Sequence, residues 1–243
     1  VTVISPEQGD EARLAELAAN LAAVRDSIGA ACAQAGRSAA EIRLIAVTKT
    51  FPAADVLLLH RLGLADFGEN RDQEAAPKAA ECAAAGLSLR WHFVGQLQVN
   101  KARSVASYAD IVHSVDRERL VTALGRHAAA GGRELGCLVQ VSLDDAAGRG
   151  GAAPDQVSAV ADAIAAEPGL SLGGVMAVAP LGVPARPAYA RLREIAESVR
   201  SRHPGATAIS AGMSSDLGEA IAEGATHVRI GTALLGARRA FVR

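Results

Sequence analysis

The sequence predicts a single (β/α)8 barrel preceded by an extra helix, and three observations carry that prediction. Strand-like and helix-like segments alternate from end to end, with eight strand candidates. The length of 243 residues suits one such barrel, which needs roughly 250. No Gly-x-Gly-x-x-Gly follows the first strand, which disfavours an open dinucleotide-binding sheet.

Residues 8–36 are Ala/Leu-rich and read as the opening helix. The first strand, 42–48, is apolar and β-branched-rich and stops at Phe51-Pro52. Further strands are expected near 65–68, 90–94, 110–115, 136–142, 171–178, 206–210 and 226–230. Helices are expected near 53–62, 71–85, 98–106, 117–130, 155–166, 186–202 and 215–223. No linker separates domains, so residues 1–243 are taken as one domain. The loop from Asp144 to Pro154, rich in Gly and Ala, follows strand five on the face where barrels place their active sites.

Composition narrows the function. Net charge is −1 without a block of like charges, which argues against nucleic acid or an anionic membrane as partner. The longest nearly apolar stretch, Leu170 to Val183, is interrupted by Ser, Gly and Pro and is too short to span a bilayer. No signal peptide opens the chain. Cys32, Cys82 and Cys137 are odd in number and lack metal-ligand spacing, so they read as reduced thiols of a cytoplasmic protein. Asp144-Asp145 lacks a third metal ligand at suitable spacing.

Lys49 is the most informative residue. Of 25 basic residues only Lys49, Lys78 and Lys101 are lysines. Arginine is the default cation, yet a lysine stands at the mouth of strand one. Only lysine can deprotonate there and act as an amine nucleophile. Side chains alternate along a strand, so Ile45, Val47 and Lys49 share a face, as do His92 and Val94. In strand eight Val228 and Ile230 suit the helix-facing layer, which turns His227, Arg229 and Gly231 into the barrel. An inward arginine needs an acceptor or anion.

Two segments look built for an anion: Ser210-Ala211-Gly212-Met213-Ser214-Ser215-Asp216 after strand seven, and Arg229-Ile230-Gly231-Thr232 running into a short helix. Small residues admit a ligand to the backbone, hydroxyls donate, and barrels often hold a phosphate at this place. A serine there also caps a helix with no ligand at all. A lysine for an aldehyde, a cradle for a phosphate and an inward arginine together suggest pyridoxal 5′-phosphate.

With those residues in place the chain resembles the pyridoxal-phosphate homeostasis proteins, themselves similar to the N-terminal barrel of alanine racemase. The matching motifs run in order: Ala46-Val47-Thr48-Lys49-Thr50, Phe67-Gly68-Glu69-Asn70, the Trp91 to Lys101 block, Gly174-Val175-Met176-Ala177, Ser210 to Asp216 and Val228 to Thr232. The resemblance implies a Schiff base on Lys49. It implies Ser214, Gly231 and Thr232 on the phosphate, Arg229 on the ring nitrogen, and Asn70, His92 and Ser210 around the cofactor. Arg71 replaces a tyrosine frequent in relatives, Arg149 a loop lysine, and Ala211 a methionine.

The remaining polar residues are read as structural. Lys78 lies in a helix of Ala, Glu and Arg and is expected to be solvated, and Lys101 is expected at the surface. Glu69 is expected to pair with a nearby arginine. His60, His127 and His203 carry no pattern. The main functional reading is a carrier or buffer that maintains intracellular pyridoxal phosphate without robust catalysis. It would act as a monomer, deliver to cofactor-dependent apo-enzymes and admit amino acids as external aldimines. The alternative is a cofactor-dependent racemase or lyase. Against it, the chain ends just beyond strand eight, before the place of the racemase β domain that supplies a catalytic tyrosine. Its two tyrosines, Tyr108 and Tyr189, lie away from strand C-termini.

Overall fold

Eight parallel strands close into a barrel in chain order, in a computed structural model that describes residues 6–144 and 150–237. Helix α1 (Pro6–Gln34) precedes β1 (Arg43–Val47), α2 (Ala53–Arg61), β2 (Asp66–Glu69), α3 (Asp72–Ala84) and β3 (Arg90–Phe93). The chain continues through α4 (Ala102–Tyr108), β4 (Ile111–Val115), α5 (Glu118–Ala130) and β5 (Leu135–Gln140). It is completed by α6 (Val157–Ala166), β6 (Leu170–Met176), α7 (Ala185–Arg202), β7 (Ala208–Ser210), α8 (Leu217–Ala222), β8 (His227–Ile230) and α9 (Thr232–Leu235). Every strand and helix expected from the sequence is present, with ends shifted by a few residues.

Closure pairs β1 with β8, with Ile45 opposite Arg229 and Ala46 opposite Ile230. The parity expected from the sequence is observed. Ala46, Phe67, Trp91, Val228 and Ile230 pack outward in one apolar cluster beneath α1 and α2. Inward, the barrel is polar in its centre, where His92, His113, Ser210 and Arg229 are all buried. Such a filling departs from the branched apolar layers usual in these barrels.

The extra helix is part of the same apolar unit. Its buried Leu17, Leu21, Val24, Ile28 and Cys32 recur at helical spacing on one face. Two of its polar residues bind the end of α9: Arg13 Nη2 donates to the Leu235 carbonyl at 3.0 Å and Asn20 Nδ2 to the Leu234 carbonyl at 3.0 Å. These carbonyls have no intrahelical partners at a helix C-terminus. Arg13 also donates to both oxygens of Asp55 on α2. Helix α1 thereby ties α9, which opens at the proposed cradle, to α2, which follows the Lys49 loop.

The three cysteines are free and buried. No helix among the described residues is long and apolar enough to cross a membrane.

Candidate functional site

Lys49 emerges two residues past the end of β1, half-buried. The next residue, Thr50, has φ 68°, the one non-glycine residue with positive φ among those described. A β-branched residue in the left-handed region is strained, by about 1–3 kcal/mol. Its backbone N–H donates to Glu74 Oε2 at 3.0 Å, and the Phe51 N–H closes a turn onto the Thr48 carbonyl at 3.0 Å. The turn directly after Lys49 is therefore fixed from α3. Arg71 pairs with the same Glu74 at 3.5 Å from an exposed position.

The loops expected to cradle a phosphate do meet. Gly231 packs beside β1, where an added Cβ would come 3.3 Å from the Val47 carbonyl oxygen. Ser214 Oγ accepts the Ala233 N–H at 3.4 Å, bridging the loop after β7 to the first turn of α9. Ser214 and Thr232 are both exposed, with hydroxyls at the rim. Below them Asp216 organises the β7 loop. It accepts the Met213 N–H at 2.6 Å and the Tyr189 hydroxyl at 2.8 Å. Asn70 stands just past β2, half-buried, with its backbone pressed on the loop after β3. A Cβ on Gly95 would lie 2.1 Å from the Asn70 carbonyl oxygen, so only glycine fits there.

Arg229 points inward, as strand parity predicts. Its Nη1 donates to Ser210 Oγ at 2.7 Å and its Nη2 to the Ala177 carbonyl at 2.9 Å. Neither acceptor is a carboxylate. Burial lowers the Arg229 pKa from its ordinary value, against the opposing pull of Tyr189 and Asp216. Ser210 also meets His113 Nδ1 at 2.9 Å. His113 Nε2 meets His92 Nδ1 at 2.9 Å, and His92 Nε2 meets Asp66 Oδ1 at 2.9 Å. His92 is thus buried deep in the barrel and reaches Arg229 only through His113 and Ser210. His113 and Asp66 were not singled out from the sequence, although both lie on strands whose alternation turns one face inward.

Burial pushes His113 well below the ordinary imidazole range, with His92, Arg229 and His227 adding to the effect. His92 is lowered by burial despite the Asp66 carboxylate beside it. His227 falls to about 4, chiefly through burial. For Asp66, burial alone would raise the pKa. The His92 N–H, the charge His92 gains when it protonates at low pH, and the Arg43 and Arg90 guanidiniums outweigh it and hold the carboxyl at about 2. A carboxyl whose pKa is depressed on folding stabilises above its unfolded value and loses that contribution as pH falls through its folded value. Asp66→Asn should therefore cost about 1–2 kcal/mol at neutral pH and almost nothing near pH 2, as read by urea unfolding at both pH values.

Lys78 and Glu69 correct the sequence reading. Lys78 is not solvated; it is 7% exposed, pairs with Glu69 Oε1, and donates to the Thr48 carbonyl at 2.8 Å. Thr48 Oγ1 donates to the same Glu69 oxygen at 2.6 Å. Glu69 therefore pairs with a lysine rather than an arginine. Helical spacing explains the error: Lys78 shares a face with buried Ala75, Ala79 and Cys82. Lys101 is part-exposed and lies 3.6 Å from Asp72. Arg149 and Asp145 lie outside the described residues. Among the described residues no group of three or more His, Cys, Asp or Glu could hold a metal ion.

The donors present fit a phosphorylated aldehyde bearing a ring nitrogen. Lys49 offers an amine, the rim hydroxyls and the first turn of α9 suit a phosphate, and Arg229 offers a guanidinium inside the barrel mouth. The chain belongs to the family of the alanine racemase N-terminal domain, whose model matches residues 13–239. More narrowly, it is 45% identical to the pyridoxal phosphate homeostasis protein of Mycobacterium tuberculosis over 93% of this chain and 95% of that protein. The protein of that name in Escherichia coli K12 is 40% identical over 92% of this chain and 97% of its own length. Among solved structures, PipY of Synechococcus elongatus with pyridoxal phosphate bound superposes with a TM-score of 0.79 at 35% identity, over 90% of this chain and 100% of that one. Alanine racemase of Corynebacterium glutamicum shares the fold at 15% identity, with a TM-score of 0.68.

Proposed function

We propose that this chain binds pyridoxal 5′-phosphate at the mouth of its barrel and serves the intracellular homeostasis of that cofactor, as a carrier or buffer. The observation that carries this reading is the bridge between the loops after β7 and β8, with Gly231 packed on Val47 two residues before Lys49 and Arg229 held in neutral acceptors. The names of the similar proteins and the cofactor bound by PipY support it. When bound, the cofactor supplies an aldehyde that condenses reversibly with an amine. Lys49 is the proposed amine. Ser214, Gly231 and Thr232 are the proposed phosphate contacts, with Asn70 beside them. Arg229 is proposed to face the ring nitrogen; a guanidinium only donates, so it favours an unprotonated nitrogen.

That arrangement suits retention rather than turnover. Racemisation needs positioned proton donors or acceptors on both faces of a substrate carbon. Tyr189 donates its hydroxyl to Asp216, and burial raises the pKa of both Tyr189 and Tyr108. On this reading neither tyrosine is assigned as a second acid, although the Tyr189 hydroxyl reaches the loop after β7 from α7. Amine exchange with amino acids at the cofactor, delivery to apo-enzymes, a monomeric state, a cytoplasmic location and one binding domain over 1–243 complete the proposal.

Comparison of phosphorylated and unphosphorylated pyridoxal tests the site. Ser214→Ala should weaken retention of the phosphorylated form by about 1–3 kcal/mol, the range for a hydrogen bond to a charged group. It should leave the unphosphorylated form unaffected. Equal retention of both forms by the unaltered protein would reject the cradle.

A further inference from the structure

We propose that Asp66, near the foot of the barrel, positions Arg229 at its mouth through a one-way hydrogen-bond chain running through His92, His113 and Ser210. The inference rests on the reading of Arg229 above for its last link alone. The chain has four bonds, three of 2.9 Å and one of 2.7 Å, and crosses the barrel interior from β2 through β3, β4 and β7 to β8.

Proton counting from the Asp66 end fixes its direction once both imidazoles are neutral. The Asp66 anion only accepts, so His92 Nε2 carries a proton. A neutral His92 then has a bare Nδ1, which must accept from His113 Nε2. A neutral His113 has a bare Nδ1 in turn, and it must accept the Ser210 hydroxyl proton. Ser210 is left only lone pairs for Arg229, and a guanidinium only donates. Every donor meets an acceptor with one arrangement of protons.

Neutral imidazoles are what the surroundings favour. His113 is fully buried, with His92, Ser210, His227 and Arg229 as its polar neighbours and no carboxylate bonded to it. His92 faces Asp66, and Arg43 and Arg90 both pair with that carboxylate at 3.4 and 3.0 Å. Those two guanidiniums already balance the anion, so a charged His92 is not needed there. The alternative chain has a protonated His92. It would force His113 to carry its proton on Nδ1, donate to Ser210, and free the hydroxyl proton to turn away.

The chain explains how a buried guanidinium keeps one orientation with no carboxylate gripping it. Ser210 is held as an acceptor facing Arg229 because its proton is committed to His113. Remove the anion at the foot, and nothing dictates which way the chain runs. Asp66, His92 and His113 thereby act as positioning residues, none of them touching the cofactor.

Imidazole 15N spectra of the cofactor-free protein test the chain directly. Both His92 and His113 should carry their protons on Nε2. Asp66→Asn, whose amide can donate or accept, should raise the minor tautomer about tenfold or more, given what a charged acceptor is worth. Asp66→Glu should restore the single tautomer. A His113 protonated on Nδ1 in the unaltered protein would overturn the proposal, as would unchanged tautomers in Asp66→Asn.

The ring-nitrogen 15N shift of labelled pyridoxal phosphate, bound to the holo-protein, tests the last link. It should move in Asp66→Asn and in Ser210→Ala, and Asp66→Asn should add nothing once Ser210 is alanine. A shift that follows Arg229→Gln but ignores Asp66→Asn would overturn the coupling. A shift that ignores Arg229→Gln would instead reject the ring-nitrogen reading, and the chain then stands or falls on the cofactor-free tautomers.

Discussion

Lys49→Arg is expected to abolish covalent capture of pyridoxal phosphate, leaving no borohydride-stable adduct and no visible absorbance from the bound cofactor. Arginine keeps the charge and much of the stem, so the loss isolates the nucleophile from the electrostatics. Its guanidinium stays protonated at any working pH and cannot offer a lone pair. The unaltered protein, reduced and mapped by mass spectrometry, should carry its adduct on the Lys49 peptide. Because Lys49 lies past the strand and fills no core volume, the melting temperature should move by no more than about 2 °C. The proposed phosphate contacts are untouched in the variant, so the cofactor should still bind, but reversibly through filtration. An adduct on Lys78 or Lys101 in the unaltered protein would reject the assignment. Lys78 is a poor competitor because its amine is buried against Glu69 and the Thr48 carbonyl.

The contrast between those two lysines shows what the sequence can and cannot disclose. Barrel architecture was legible because buried parallel strands are short apolar runs separated by amphipathic helices, and eight of them alternate here. Lys49 was legible because one cation type broke the chain's habit at a strand end. The inward turn of Arg229 followed from period two alone, since Val228 and Ile230 had to face the helices. The histidine chain was not legible. Its members stand on four different strands and Asp66 begins a fifth, so their meeting depends on strand tilt and closure, not on any local spacing. His92 is an example: the resemblance implies a place around the cofactor, and only the fold shows that its ring also bonds Asp66 and His113. Lys78 was legible in principle, through Ala75, Ala79 and Cys82 on its face, but a charged residue on an apolar face usually snorkels outward. It stays in because Glu69, at the end of β2, is buried opposite it.

Lys78→Met should therefore destabilise the protein by about 3–5 kcal/mol, the cost of stranding one partner of a buried ion pair. At this chain length that corresponds to a fall of roughly 6–20 °C in melting temperature. Methionine matches the stem, so the loss is electrostatic: Glu69 keeps only the Thr48 hydroxyl, and its Oε2 already lacks a protein partner. Glu69→Gln on top of Lys78→Met should recover part of the loss, because a neutral amide still accepts from Thr48 while no charge remains buried. The two changes should depart from additivity by about 0.5–3 kcal/mol. The pH dependence has a definite sign. Burial raises the Glu69 pKa, and Lys78 and Thr48 oppose that rise. Without Lys78 the carboxyl rises further and takes up a proton on folding. A carboxyl raised on folding stabilises below its unfolded pKa and loses that contribution as pH rises through the folded value. The deficit of Lys78→Met should thus be smaller near pH 5 than near pH 8, as read by guanidinium unfolding. Because Lys78 also grips the carbonyl of Thr48, the residue before Lys49, the variant should capture cofactor more slowly even where it remains folded. A deficit under about 1 kcal/mol at both pH values would mean that the pair is solvated in solution and that β1 and β2 need no brace at their ends.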